Sequence, residues 1–295
     1  MYSNIIPKAN SRPTLVYQGE RGAYSEIAAI SYLKRLGWQA KLSNVPTFSK
    51  VFDKVSEGKA EYGIVPLENS IESSVNDTHR LLLRNGLSIV GEVYVDVHHC
   101  LMARNGVSME EVRVVYSHPQ ALGQCSSFID RHGFKTAPMY NTAGSAKIVS
   151  EEKLTYAAAI ASERAAELYG LKILQRDIED DVSNTTRFII LGAADIIAMP
   201  TRNDKTSLIV SLPHKPHALA SALVSLGGIN ITRIESMPAP GKPWEYLFYI
   251  DIEGHNHDNR IGDALDDLAE RSSWVKILGS YPMAEQYAKT FDKGD

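Results

Sequence analysis

The chain sets two hydroxyls and a guanidinium directly before an apolar run, in Ser183-Asn184-Thr185-Thr186-Arg187-Phe188-Ile189-Ile190-Leu191. Thr185 and Thr186 offer hydroxyl donors, Asn184 a donor and an acceptor, and Arg187 a planar fork suited to a carboxylate. Four apolar residues follow, so Arg187 is expected at the mouth of a strand, where a guanidinium needs an anion. That anion is either a ligand or the acidic run Glu179-Asp180-Asp181. Three further loops carry polar groups. In "YQGERGAYSE", Gly19 and Gly22 flank Arg21 and allow a close backbone approach to a ligand, or simply a turn. In "PLENSIESS", Glu68, Asn69 and Ser70 follow a short strand, and Ser70, Ser73 or Ser74 could instead cap the next helix. In "YSHPQALGQC", Ser117 could cap a helix, His118 could act as a general acid or be structural, and Gln124 lies one turn from Gln120. Together these loops supply neutral donors, one or two arginines and no phosphate cradle. Such a set would grip a small polycarboxylate, for chemistry in which the substrate supplies most of the driving force.

The elements that must position these groups follow from periodicity. "TLVY", "EYGIVP", "VRVVY" and "AAAIA" read as strands, with "EYGIVP" ending at Pro66. Helices are expected from Ser25 along Ala29, Tyr32, Leu33 and Leu36, and over Phe48, Val51, Phe52 and Val55. Two more fall over Ala121, Leu122, Cys125 and Ile129, and over "SERAAELYG", closed by Gly170. Alternating strands and helices predict an α/β domain with a mostly parallel sheet covered on both faces. Its ligands would sit at the carboxyl ends of strands, where the polar clusters fall. After "PTRNDK" the pattern changes. "TSLIVSL", "PHALASALVSLG", "INITRIESM", "WEYLFYIDI", "DNRIGDALDDLAERS" and "WVKILGSY" give a βαββαβ order, which is ferredoxin-like. The first of these helices is expected to start at Pro216. The boundaries expected are 12–195 for the first domain and 204–283 for the second.

A net charge of −4 over 295 residues gives no reason to expect nucleic acid or an anionic membrane as partner. Two cysteines, Cys100 and Cys125, argue against a disulfide framework and fit a reducing compartment. The first residues, "MYSNIIPKANSRPT", contain no apolar stretch of roughly 7–15 residues, and no run reaches the ~20 that span a bilayer. A cytoplasmic protein is expected. GxGxxG, GxxxxGK[ST], HExxH and CxxC are absent. His98, His99 and Cys100 are adjacent, and neighbours in a strand point to opposite faces, so one ion cannot easily hold all three. No metal and no cofactor is expected.

"GERGAYSE" (19–26), "GIVPLENS" (63–70), "SHPQALGQC" (117–125) and "TRF" (186–188), in this order, resemble the prephenate dehydratases, and 206–282 resembles the ACT regulatory domain that follows them. The resemblance implies a two-lobed catalytic domain similar to type II periplasmic solute-binding proteins, with the active site in the cleft. It implies conversion of prephenate to phenylpyruvate with loss of carbon dioxide and water, in phenylalanine synthesis. It assigns the essential hydroxyl to Thr186 and places Asn69, Ser117, Gln124 and Arg187 in the cleft. Glu68, Ser70, Asn184, Thr185, Phe188 and Arg21 are expected to contact substrate, and Arg187 to hold the pyruvyl carboxylate. L-Phenylalanine is the expected effector, bound at a subunit interface by His217, Ala218 and Leu219 with Asn230, Ile231, Glu235, Ser236 and Met237. Two departures fall there. His217 stands where the family usually has glycine, which adds bulk, and Met237 where it has arginine, which removes a cation. Open sheet edges favour a homodimer or homotetramer. An arogenate dehydratase with the same site, or a non-catalytic sensor of small carboxylates or amino acids, would fit many of the same residues.

Overall fold

The computed structural model describes residues 12–242 and 244–284, so the expectation about the first residues falls outside it for 1–11. In chain order the elements are β1 (Thr14–Gln18), α1 (Tyr24–Leu36), β2 (Lys41–Val45), α2 (Phe48–Ser56), β3 (Tyr62–Asn69), β4 (Ser73–Ser74), α3 (Asn76–Arg84), β5 (Ser88–Asp96) and β6 (Cys100–Ala103). There follow β7 (Val114–Ser117), α4 (Pro119–Gln124), α5 (Ser126–His132), β8 (Lys135–Pro138), α6 (Thr142–Glu151), β9 (Ala157–Ala161), α7 (Glu163–Tyr169), β10 (Lys172–Gln175) and β11 (Thr185–Gly192). The last are β12 (Asp204–Ser211), α8 (Ala218–Ser225), β13 (Ile231–Pro238), β14 (Tyr246–Glu253), α9 (Asn259–Arg271) and β15 (Trp274–Pro282).

These strands form three sheets, ordered β2-β1-β3-β11-β5 with β4 beside β3, β10-β6-β9-β7-β8, and β13-β14-β12-β15. The first part thus has the two sheets of the two-lobed α/β domain that the resemblance implies, where strand alternation alone suggested a mostly parallel sheet. In the second of them β7 runs parallel to β8 and β9, whereas β6 runs antiparallel to β9 and β10. Two compact units hold the described residues. One contains Arg12–His79 and Val93–Phe188, the other Arg80–Glu92 and 189–284.

Strand β9 shows why the middle sheet forms. Ala158 and Ile160 enter one apolar cluster, and Ala157, Ala159 and Ala161 another. A strand buried on both faces has no polar alternation, as "AAAIA" requires. Strand β3 runs on past Pro66 to Asn69, three residues beyond the expected end. Its pairing with β1 stops at Ile64, so proline's missing N–H costs no ladder bond on that side.

In the other unit, β12–β15, α8 and α9 complete the βαββαβ pattern. Leu208 and Val210 pack with Ala222, Leu226, Ile261, Leu265 and Leu268 under the two helices. Helix α8 begins at Ala218, not at Pro216. His217 caps it at φ 63°, a left-handed conformation that ends any helix running through it. The opposite face of β12 carries Lys205 and Ser207. Lys205 Nζ lies 3.1 and 3.0 Å from the two oxygens of Glu92 on β5, with both side chains at most 1% exposed. Gly279 on β15 comes so close to β5 that an added Cβ would lie 2.1 Å from Ile89 O. Lys276 Nζ donates to the carbonyls of Leu82, Leu83 and Asn85 at 2.8, 3.1 and 2.6 Å, closing the C-terminal end of α3.

Candidate active site

A cleft of about 340 Å³ opens within the first unit. One wall comes from the β1–β3–β11 sheet and supplies Gln18, Phe48, Pro66, Asn69, Thr186 and Phe188. The other comes from the middle sheet and supplies His99, His118, Gln120, Gln124, Tyr140, Asn141 and Thr142. Tyr24 and Ser25, from the first turn of α1, complete it. No lysine, arginine, aspartate or glutamate is among its lining residues.

Strand alternation decides which part of the opening motif reaches this space. Thr186 and Phe188 share a face and line the cleft, so Arg187 points to the other. Arg187 is 2% exposed, and its Nη1 donates to Glu68 Oε1 at 2.9 Å. This corrects the expectation that Arg187 and Glu68 contact substrate: each has its opposite charge within the fold. The acidic run is engaged elsewhere. Glu179 meets His98 and the His99 N–H, Asp180 meets Ser126 and Ser127, and Asp181 meets Ser183.

Thr186 is nearly buried, and its Oγ1 accepts from Asn69 Nδ2 at 2.9 Å. An amide nitrogen only donates, so the hydroxyl proton remains available, and no acceptor holds it among the described residues. Asn69 is fixed in turn. Its Oδ1 accepts from the N–H groups of Ile71 and Glu72, both at 3.0 Å, and its Nδ2 also donates to Asn184 Oδ1 at 2.7 Å. Asn184 Nδ2 donates to Gln124 Oε1 at 3.1 Å, and Gln124 Nε2 donates to Glu72 Oε1 at 3.0 Å. Gln124 Oε1 also faces His99 Nε2 at 3.0 Å, which places the imidazole proton on Nε2. Tyr24 Oη lies 3.2 Å from His99 Nδ1 and donates to His98 O at 2.5 Å. Burial holds His99 below the ordinary imidazole range, against the pull of Gln124, and raises the Tyr24 phenol well above its own. A chain of uncharged groups thus links His99 to Thr186, its donors His99 and Asn184 converging on Gln124 Oε1, with Tyr24 beside His99.

The structure brings Thr186, Asn69, Asn184, Gln124 and Phe188 together and leaves other expected residues out. Ser117 is fully buried and gives its proton to Ile160 O at 2.7 Å. It is neither in the cleft nor a helix cap. His118 caps α4, its Nδ1 accepting from Gln120 N–H at 3.3 Å. Ser70 Oγ donates to Ser183 O and accepts from Thr185 N–H, both at 2.9 Å, clasping the turn before β11. Thr185 Oγ1 donates to Asp96 Oδ1 at 2.8 Å. The Arg21 side chain is 65% exposed and lies 3.9 Å from Glu26. Gly22, at φ 88°, approaches protein and not ligand. An added Cβ would lie 2.8 Å from Ala165 Cα, while Gly22 N–H donates to Glu26 Oε2 at 2.9 Å. Tyr24, Ser25, His99, Tyr140, Asn141 and Thr142 were not singled out from the sequence as cleft residues. One local signal was present: Asn141 caps α6, its Oδ1 accepting from Gly144 N–H at 2.5 Å.

His98 and His99, in the link between β5 and β6, turn to different partners. His98 turns to Glu179 at 2.9 Å and Asp177 at 3.5 Å. Its hydrogen bond to Glu179 raises its pKa. Burial would raise Glu179, but the His99 N–H and His98 outweigh it and hold the carboxyl low. Cys100 and Cys125 are buried free thiols, and burial pushes the Cys100 thiol up to about 11.

In the second unit, a pocket of about 160 Å³ is lined by Leu212, Pro213, His214, Lys215, Ala218, Leu219, Glu245, Tyr246 and Phe248. Of the residues expected to bind effector, Ala218 and Leu219 line it. His217 caps α8, and Ile231, Glu235, Ser236 and Met237 lie on β13, where Glu235 pairs with Arg233 and Met237 is buried. Asn230 precedes that strand, its carbonyl accepting from Glu253 N–H. Among the described residues no helix is long and apolar enough to cross a membrane.

Comparison with known proteins identifies the family. "Arogenate dehydratase/prephenate dehydratase 2, chloroplastic" of Arabidopsis thaliana is 40% identical over 284 residues, covering 92% of this chain and 74% of the relative. A solved prephenate dehydratase from Arthrobacter aurescens, in complex with L-Phe, superposes with a TM-score of 0.84 at 32% identity over 92% of this chain and 91% of its own. A solved structure described as GqqA, a novel type of quorum quenching acylase, gives 0.83 at 36% identity over 93% and 99%. Residues 15–196, which carry every group of the Thr186 chain, match the family described as prephenate dehydratase, and this chain belongs to that family.

Proposed function

We propose that the chain converts prephenate to phenylpyruvate in phenylalanine biosynthesis, with residues 12–195 as the catalytic domain and 204–283 as an ACT regulatory domain. The observation that carries this reading is the Thr186 hydroxyl, which accepts from Asn69 and keeps its own proton for the cleft. Prephenate dianion and one proton give phenylpyruvate anion, carbon dioxide and water. The C–C bond to the departing carboxylate breaks, its electron pair enters the ring, and the ring C–O bond breaks as hydroxide leaves. Aromatisation makes the reaction downhill, so the barrier lies in expelling hydroxide. A hydrogen bond from Thr186 to that oxygen strengthens as charge develops on it, which is the condition for catalysis. Asn69, Asn184 and Gln124 hold Thr186 in donating orientation. The cation-free lining supports the same chemistry. A guanidinium paired with the departing carboxylate would stabilise the ground state, whereas a cation-free cleft favours loss of the charge as carbon dioxide.

The test is incubation of the purified chain with prephenate, reading phenylpyruvate by its ultraviolet absorbance in alkali. No product from a folded sample overturns the proposal. Arogenate assayed in parallel decides the second reading, favoured by the Arabidopsis relative whose name carries both activities. Phenylalanine is the effector we infer, on the ground that the Arthrobacter protein is described with L-Phe bound. His217 stands in the left-handed region that glycine adopts most readily, so its side chain adds bulk at a position suited to glycine. Calorimetry showing no phenylalanine binding at millimolar concentration contradicts this part. A homodimer or homotetramer is also inferred, from the edge strands β13 and β15 with Ile234, Trp274 and Ile277 exposed, and light scattering checks it.

A further inference from the structure

With Arg187 committed to Glu68, the acid end of the substrate needs another partner, and the cleft offers one imidazole N–H without a role. His118 follows β7, whose Ser117 pairs with Pro138 of β8 and accepts from Met139 N–H at 2.8 Å. The ring therefore stands beside the loop that leads into α6. Its Nδ1 accepts the Gln120 N–H, so a neutral ring carries its proton on Nε2. Nε2 has no hydrogen-bond partner among the described residues, and the half-buried ring lines the cleft.

We propose that His118, as a neutral imidazole, anchors the side-chain carboxylate of the substrate through its Nε2–H and stands in for the arginine that the cleft lacks. The inference rests on the dehydratase reading. In prephenate the ring hydroxyl and the two acid groups sit at opposite (1,4) ends of the ring. If Thr186 on one wall holds the hydroxyl, the acid end faces donors of the other wall. There His118 and the first turn of the ten-residue helix α6 stand together, and the α6 amides add favourable dipole. A neutral donor also suits a substrate with two carboxylates of opposite fate. A cation's field reaches both groups, whereas a hydrogen bond reaches only the atom it touches. The site keeps the ring neutral. Protonation would place an N–H at Nδ1 against the Gln120 N–H and break the cap. Glu72 is the carboxylate that acts on His118, and His99, Tyr24 and Tyr140 are the other titratable groups lining the cleft. Burial lowers the His118 pKa against the pull of Glu72.

The test compares wild type with His118→Asn and His118→Gln. Asparagine keeps a short acceptor for the Gln120 N–H but has no atom at Nε2. KM for prephenate should rise about ten- to a hundredfold, the range for losing a hydrogen bond to a charged group, with kcat within about threefold. Phenylpyruvate keeps the side-chain carboxylate but lacks the ring hydroxyl and the lost carboxylate. Its inhibition constant should rise in the same proportion. Glutamine carries an amide N–H near the Nε2 position and should recover part of both losses. An unchanged KM in folded His118→Asn overturns the inference. So does a fall in kcat with the phenylpyruvate inhibition constant unmoved. Wild type that makes no phenylpyruvate fails the dehydratase reading instead, which separates the two.

Discussion

Two polar clusters, each embedded in apolar surroundings, handle their hydrogen bonds in opposite ways. In the second unit, Lys205 meets both oxygens of Glu92, and Ser207 meets Asp251 at 2.5 Å and Tyr281 at 2.6 Å. That cluster is charged and mutually satisfied. In the cleft, Tyr24, His99, Gln124, Asn184, Asn69 and Thr186 are all uncharged, and the chain ends on a hydroxyl that accepts without an acceptor for its own proton. A closed cluster holds elements together, whereas a cluster with one donor left over is prepared for a ligand. Arg187 shows the difference at a distance of one residue. It lies on the same strand as Thr186 and belongs to the closed kind.

The largest effect expected is on the closed side. Lys205→Ala leaves Glu92 buried without its ammonium and should cost about 3–5 kcal/mol of unfolding free energy in urea titrations. The pair Lys205→Met with Glu92→Leu should recover most of it. A single-variant loss below about 1 kcal/mol would erase the contrast. Next comes the open side. Thr186→Ala should lower kcat by about 10²- to 10³-fold with stability altered by less than about 1 kcal/mol, and Thr186→Ser should retain more activity. Phenylpyruvate formation alongside thermal melts checks both, and wild-type activity in the alanine variant removes Thr186 from the chemistry. Arg187→Lys sharpens the boundary between the two kinds. It should lose roughly 2 kcal/mol of stability, because the planar fork is buried, while KM changes less than about twofold. A tenfold rise in KM with unchanged melting would return Arg187 to the substrate.

The smallest effect concerns pH. The folded His98 pKa is raised, so its contribution is present below the ordinary imidazole value and is lost as pH rises through the folded one. The folded Glu179 pKa is lowered, so its contribution is present above the ordinary carboxylate value and is lost as pH falls through the folded one. The pair therefore helps most between roughly pH 4.5 and 6.5. With His98 about half exposed, solvent screening keeps the effect small. Melting temperatures of wild type and His98→Asn should converge as pH rises above that window. A constant difference across pH 5–8 would show that the pairing is not what the asparagine removes.

Local pattern carried much of this protein. The apolar spacing over 48–55 became α2, "AAAIA" became a strand buried on both faces, and residues 204–282 kept their βαββαβ order. The family resemblance of the motifs and the donor chemistry of the opening stretch together singled out Thr186, Asn69, Asn184 and Gln124. For Arg187 and Ser117 the sequence misled in one respect, the direction in which a side chain leaves its backbone. Alternation along β11 sends Thr186 to the cleft and Arg187 to Glu68, although the two are neighbours. Ser117 faces a carbonyl of β9 because β7 and β9 pair in parallel, which no local signal announces.

The linear sequence by itself determined the residue types, their periodicities and the motif order, because these depend on local propensity and on the spacing of apolar positions. Only the tertiary structure decided which polar groups find partners within the chain and which are left for a ligand. A hydrogen bond needs two groups within about 3 Å at the right angle. Asn69 and Thr186, 117 positions apart, meet that condition only once the strands that carry them lie in one sheet.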